Sequence, residues 1–131
     1  MLERRRNQET DRLLSKEQAL VLPFNAVGIA DIPFVGGKNA SLGEMIQELR
    51  PKGVKVPTGF ATTAYADRYF ITTAGLEARL RKIFAGLDVE DVDNLRQCSK
   101  QARSLMLEIT FPLDLQEVIA RSYQALCQEY G

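Results

Sequence analysis

The sequence predicts a helix-rich α+β fold, with a small sheet of two or more short strands and about five helices. Three observations predict it. Two short apolar runs, Ala19 to Phe24 and Val54 to Thr63, are punctuated by proline or glycine, as short strands are. Between them a glycine pair runs straight into a segment where Leu42, Met45, Ile46 and Leu49 recur at i, i+3, i+4 and i+7 and share one helical face. From Leu76 onward, three apolar stripes follow one another at helical spacing.

The elements follow in order. Residues 1–18 form a charged run with Arg4-Arg5-Arg6 and little apolar surface, read as a poorly ordered extension. As a basic arm for nucleic acid it is interrupted by Glu3, Glu9, Asp11 and Glu17. Residues 19–131 are read as one domain. Ala19 to Phe24 is its first strand, with Pro23 near the end or at an exposed edge. Asn25 to Phe34 is loop or a single turn. The helix entered at Lys38 stops near Arg50, because Pro51 and Gly53 cannot comfortably continue it. A turn at Pro57-Thr58-Gly59 leads into a short strand, Phe60 to Thr62, and strand, helix, strand in this order suggests a small α/β unit. Thr62 or Thr63 caps a helix from about Ala64 to Thr72, with Ala66, Tyr69 and Phe70 inward.

The remainder is helical. Leu76, Leu80, Ile83, Phe84 and Leu87 form one stripe after the break at Gly75, and Gly86 marks the end of that helix. Leu95, Cys98, Ala102, Leu105, Met106 and Ile109 form the next. Pro112 sits in the first turn of the last helix, whose inner face is Leu115, Val118, Ile119, Tyr123 and Leu126. The acids of Asp88 to Asp93 read as helix caps and solvated first-turn carboxylates rather than metal ligands.

Composition removes whole classes of function. Lys plus Arg and Asp plus Glu both count 17, so no net charge favours nucleic acid or an anionic membrane as a partner. No apolar run is long enough for a transmembrane helix, and Met1 to Gln18 lacks the apolar core of a secretory signal. Cys98 and Cys127 form no CxxC pair and read as two buried thiols in a reducing, cytoplasmic setting. The chain has no histidine, which rules out a Ser-His or Cys-His nucleophile and imidazole-based zinc sites within it. No catalytic residue and no metal ligand is assigned.

The candidate site is the turn before the first long helix. Gly36 and Gly37 allow a tight turn and close backbone approach. The amides of the first helical turn point outward, unpaired, at the positive end of the helix, and Lys38 adds a full charge beside them. That combination suits a polyphosphate. It is not a Walker A loop, whose longer glycine spacing before the lysine is absent. The plain alternative is a Gly-Gly turn into a helix with a solvated lysine.

Three stretches carry a family resemblance: Val35-Gly36-Gly37-Lys38-Asn39-Ala40-Ser41-Leu42-Gly43-Glu44-Met45, then Gly53-Val54-Lys55-Val56-Pro57-Thr58-Gly59-Phe60-Ala61-Thr62-Thr63, and Phe111-Pro112-Leu113 before the last helix. From Ala19 onward the chain resembles the N-terminal segment of the phosphoenolpyruvate synthase and pyruvate phosphate dikinase family. The resemblance implies the opening part of an ATP-grasp nucleotide-binding domain, with Lys38 contacting ATP phosphates and Gly36 and Gly37 letting backbone approach them. It also implies that Thr62 and Thr63 lie on the sheet beside that site. The family continues into an Ala-Val-Arg-Ser-Ser-Ala strand, metal-binding acids, a phosphohistidine domain and a pyruvate-binding barrel, and the sequence stops at Gly131 before any of them.

The resemblance thus implies a segment of a phosphotransferase that converts ATP, pyruvate and water to phosphoenolpyruvate, AMP and phosphate when complete, and inactive alone. Its cofactor would be ATP, weakly held, with Mg2+ only in the complete enzyme. Two other readings stand beside it: a non-catalytic module that associates with or regulates a complementary polypeptide, and a helical interaction domain with no nucleotide role. Self-association is expected if an apolar face is left uncovered.

Overall fold

A computed structural model describes residues 16–131. The first fifteen residues of the expected extension lie outside the described residues. The chain divides into two compact units: one comprises 16–67 and 114–131 of the described residues, the other 68–113.

In the first unit, strand β1 (Val21–Pro23) pairs antiparallel with strand β2 (Phe60–Thr62), in the register Val21 to Thr62, Leu22 to Ala61 and Pro23 to Phe60. Pro23 ends β1, where its missing N–H costs the ladder nothing. Two short 3-10 turns, Phe24–Ala26 and Ile29–Asp31, lead into a single helical turn, α1 (Ile32–Val35), and then the long helix α2 (Gly37–Leu49). A further 3-10 turn, Arg50–Lys52, ends α2 where Pro51 and Gly53 stand. Leu22, Val27, Val35, Ala40 and Ala61 form the core of this unit, with Phe24 and Phe34 packed against it. The two motif stretches meet there: Val35 and Ala40 come from one, Ala61 from the other.

Helix α3 (Ala64–Thr73) begins in the first unit and α4 (Leu76–Phe84) and α5 (Val92–Glu108) lie in the second. Gly75, left-handed at φ +63°, separates α3 from α4. The Asp91 carboxylate caps α5, accepting the backbone N–H groups of Asp93 (3.0 Å) and Asn94 (3.2 Å). Leu76 is fully buried, and Phe70, Cys98, Ala102 and Leu105 are buried with it in this unit. Phe70 meets Phe111 edge to face, with ring centroids 5.0 Å apart. Helix α6 (Leu113–Tyr130) follows, and nearly all of it belongs to the first unit.

The helix-rich α+β class holds, with six α-helices among the described residues rather than about five. The two strands flanking α2 pair antiparallel, so the small strand, helix, strand unit is not a parallel crossover. Pro112 falls just outside α6 instead of in its first turn. Cys98 is buried but Cys127 is exposed, on the outer side of α6; both are free thiols. Tyr123, placed inward by spacing, is 61% exposed; Leu115 is the buried residue of α6, with Val118, Ile119 and Leu126 half-buried.

The largest departure is on α2. Its buried residues are Ala40, Gly43 and Ile46, while Leu42 and Met45 are 41% and 47% exposed. The buried face is therefore turned by roughly a quarter of a helical rotation from the apolar stripe, and only Ile46 belongs to both. The reason is close approach. A Cβ on Gly43 would stand 2.1 Å from the carbonyl oxygen of Val27, so the link between the two 3-10 turns lies directly on the glycine. Gln47 donates its amide to that same Val27 oxygen (2.6 Å) and fixes the contact.

Candidate functional site

The turn at Gly36 is made by two helices meeting. Pro33 sits at the start of α1, where its fixed φ suits the first helical turn. Gly36 closes α1 by donating its N–H to the Ile32 carbonyl (2.9 Å), and opens α2 by accepting the N–H of Ala40 (3.0 Å). Serving both roles places it at φ +80°, ψ 162°, a conformation that is essentially glycine's alone.

The N–H groups of Gly37, Lys38 and Asn39 precede that first helical bond and point out of the end of α2. Gly36 has no side chain with which to cap them. The Asn39 amide turns back instead and donates to the Val35 carbonyl (2.8 Å), clamping the two helices' junction. A Cβ on Gly36 or Gly37 would meet nothing within 4 Å, so the space in front of the turn is open. Lys38 is exposed and makes no ion pair among the described residues. Outward amides, a positive helix end and an uncompensated lysine together form an anion-attracting surface. At helical spacing, Lys38 also heads the face carrying Leu42, Met45 and Leu49.

The polar groups behind the turn are committed to the fold. The buried Asp31 carboxylate takes the Lys16 ammonium on both oxygens, at 3.0 and 2.9 Å, and the Gly28 N–H at 2.9 Å. Glu44 accepts the Ile29 N–H at 3.1 Å. Asn39, Asp31, Glu44 and Gln47 had no assigned role from the sequence. The legible trace was the spacing Gly28 to Asp31, which suits a side chain closing its own turn.

The threonines stand elsewhere. Thr62 is exposed at the end of β2. Thr63 is buried; its hydroxyl donates to the Ala19 carbonyl and accepts the Ala66 N–H (3.0 Å), which caps α3 and ties it to the entry of β1. No hydrogen bond or ion pair among the described residues joins Lys38 to either threonine. The structure thus gathers Gly36, Gly37 and Lys38 at one turn and sets Thr62 and Thr63 on the strand and the following cap.

Among the described residues no group of three or more His, Cys, Asp or Glu side chains could hold a metal ion. No helix among the described residues is long and apolar enough to cross a membrane.

The turn thus sets bare backbone amides and a lysine at the head of a helix, beside a small sheet, a geometry open to anions. Residues 32–131 match the pyruvate phosphate dikinase AMP/ATP-binding domain, and the chain belongs to that family. It is similar to the phosphoenolpyruvate synthase of Synechocystis sp., 55% identical over 123 residues that cover 94% of this chain and 15% of that protein. It is similar also to the phosphoenolpyruvate synthase of Aquifex aeolicus, at 45% over 117 residues (89% of this chain, 14% of that one). The Escherichia coli phosphoenolpyruvate synthase is 41% identical over 107 residues (82% and 14%). The chain therefore spans about 15% of the length of the curated relatives it matches.

Proposed function

We propose that this chain is the phosphate-facing part of the ATP-binding domain of a phosphoenolpyruvate synthase-type phosphotransferase. The observation that carries the reading is the turn itself: an exposed, unpaired Lys38 beside outward amides, behind a Gly36 held in a glycine-only conformation. ATP supplies a phosphoryl group when bound. Lys38 offsets the charge of its phosphates, an electrostatic role, and Gly36 and Gly37 leave the backbone bare so that phosphate oxygens approach the amides. In the complete enzyme the phosphoryl group would pass through a histidine to pyruvate. This chain has no histidine, so alone it forms no phosphoenolpyruvate. Thr62 and Thr63 support the site only through the strand and helix cap they build. Mg2+ would enter only in the complete enzyme, and the setting is cytoplasmic.

A second reading, a module that associates with a complementary polypeptide, is favoured by the exposed Leu42 and Met45. A polypeptide lying along their stripe would be brought beside Lys38.

An NMR titration with tripolyphosphate, ATP and GTP tests the site. A single lysine and a few amides make few contacts, so an affinity near millimolar, about −4 kcal/mol, is expected, falling with added salt. Amide shifts should centre on Gly36 to Ser41 for all three ligands, and Lys38→Ala should remove most of the response. Micromolar ATP binding with strong preference over GTP would relocate the site, and a silent Lys38 turn at millimolar ligand would exclude it.

A further inference from the structure

A groove of about 680 Å3 lies within the second unit, between α4 and α5. Helical register builds it. On α4, Arg79 and Lys82 stand three residues apart on one face; on α5, Gln97, Lys100, Gln101 and Ser104 share the facing side. Its apolar floor is the buried Leu105 and the half-buried Ile83.

The charge of this lining is unbalanced. The neighbouring Arg81 is matched by Glu77 at 2.7 Å, but Arg79, Lys82 and Lys100 make no ion pair among the described residues. Glu108 is the single carboxylate in the lining, so the groove is net positive. The two glutamine amides and the Ser104 hydroxyl add neutral hydrogen-bond donors. Its volume falls within the range of small-ligand sites, far more than one phosphate fills, and its floor suits carbon rather than water.

We propose that this groove binds a small organic polyanion, one that carries two or more phosphate or carboxylate groups on a compact carbon body. The anionic groups sit on Arg79, Lys82 and Lys100, and the body lies over Ile83 and Leu105. The site is separate from the Lys38 turn and does not depend on it.

The test is an amide NMR titration of the full chain with inorganic tripolyphosphate and, separately, with citrate. Saturable shifts at residues 79–83 and 97–104 are expected at millimolar ligand. Response to both probes supports a general polyanion site; response to tripolyphosphate alone narrows it to phosphate compounds, and to citrate alone to polycarboxylates. The double variant Lys82→Glu and Lys100→Glu should weaken this binding by roughly tenfold or more, with its amide dispersion retained as the check on folding. Lys100→Gln, which removes one charge without reversing it, should weaken it by about threefold, while Lys38→Ala leaves it unchanged. Absence of saturable shifts with either probe, or shifts that survive the charge reversals, overturns the proposal.

Discussion

Two glycines of one motif do different work, and substitution separates them. Gly36 stands in open space but at φ +80° and ψ 162°, so a methyl group there meets no neighbour and only the backbone objects. Gly36→Ala should cost about 1–3 kcal/mol. Asparagine should rescue little, because the left-handed region it tolerates has ψ near +45°. Gly43 lies inside α2, where alanine would ordinarily gain about 1 kcal/mol in helix propensity. Its Cβ, however, would press on the Val27 backbone oxygen at 2.1 Å, and a carbonyl held by Gln47 cannot give cheaply. Crowding should win, and Gly43→Ala should destabilise by about 1–3 kcal/mol net. Urea unfolding of both variants checks the pair; a Gly43→Ala protein as stable as the parent would contradict the close approach.

Element ends were legible because they depend on local chemistry. Pro57-Thr58-Gly59 announced β2, Pro51 and Gly53 announced the end of α2, and Thr63 and Asp91 cap the helices that follow them. The buried face of α2 was not legible. Amphipathic spacing reports where apolar side chains are, whereas packing here was decided by where a side chain is missing. An isolated glycine within a helical pattern was the available signal. The Lys38 turn was legible in kind, since two glycines before a lysine already imply bare backbone beside a charge. The role of Asp31 was not, because its partner Lys16, fifteen positions earlier, is chosen by the fold, and that of Asn39 was not, because its bond back to Val35 crosses the Gly36 turn. Thr63 offers the test at this scale. Thr63→Val should lose the cap, about 1 kcal/mol, and strand the Ala19 carbonyl for roughly another 1 kcal/mol. Thr63→Ser should recover most of it. Faster hydrogen exchange at Ala66 in the valine variant, and not in the serine variant, identifies the cap as the cause.

The molecule as a whole exposes apolar surface that its own folding does not cover. Ile29, Ile32, Leu42 and Met45 are all more than two-fifths exposed in the first unit. The sheet among the described residues has only two strands, so each keeps one edge without a partner strand. Sedimentation should therefore show concentration-dependent self-association, and Leu42→Lys with Met45→Lys should reduce it without loss of helix content. A wild-type chain that stays monomeric at high concentration would refute this.

The first unit is assembled from two separated stretches of chain, and this sets a clock on its formation. The Tyr130 hydroxyl accepts the N–H of Thr58, 72 positions earlier, at 2.6 Å, and Arg50 Nη2, 80 positions earlier, at 3.3 Å. Arg50 also pairs with Glu129 at 3.3 Å. During synthesis none of these bonds can form until the last turn of α6 has emerged, a wait on the order of ten seconds at ordinary elongation rates. The second unit draws on one continuous stretch and has no such wait. Thus the half that carries Lys38 finishes last, although most of its residues are made first. In that interval α2 and the two strands rest on the β1–β2 ladder and the core of Leu22, Val27, Val35, Ala40 and Ala61, so translation sets when α6 can add its bonds, while the phosphate-facing turn can order before it.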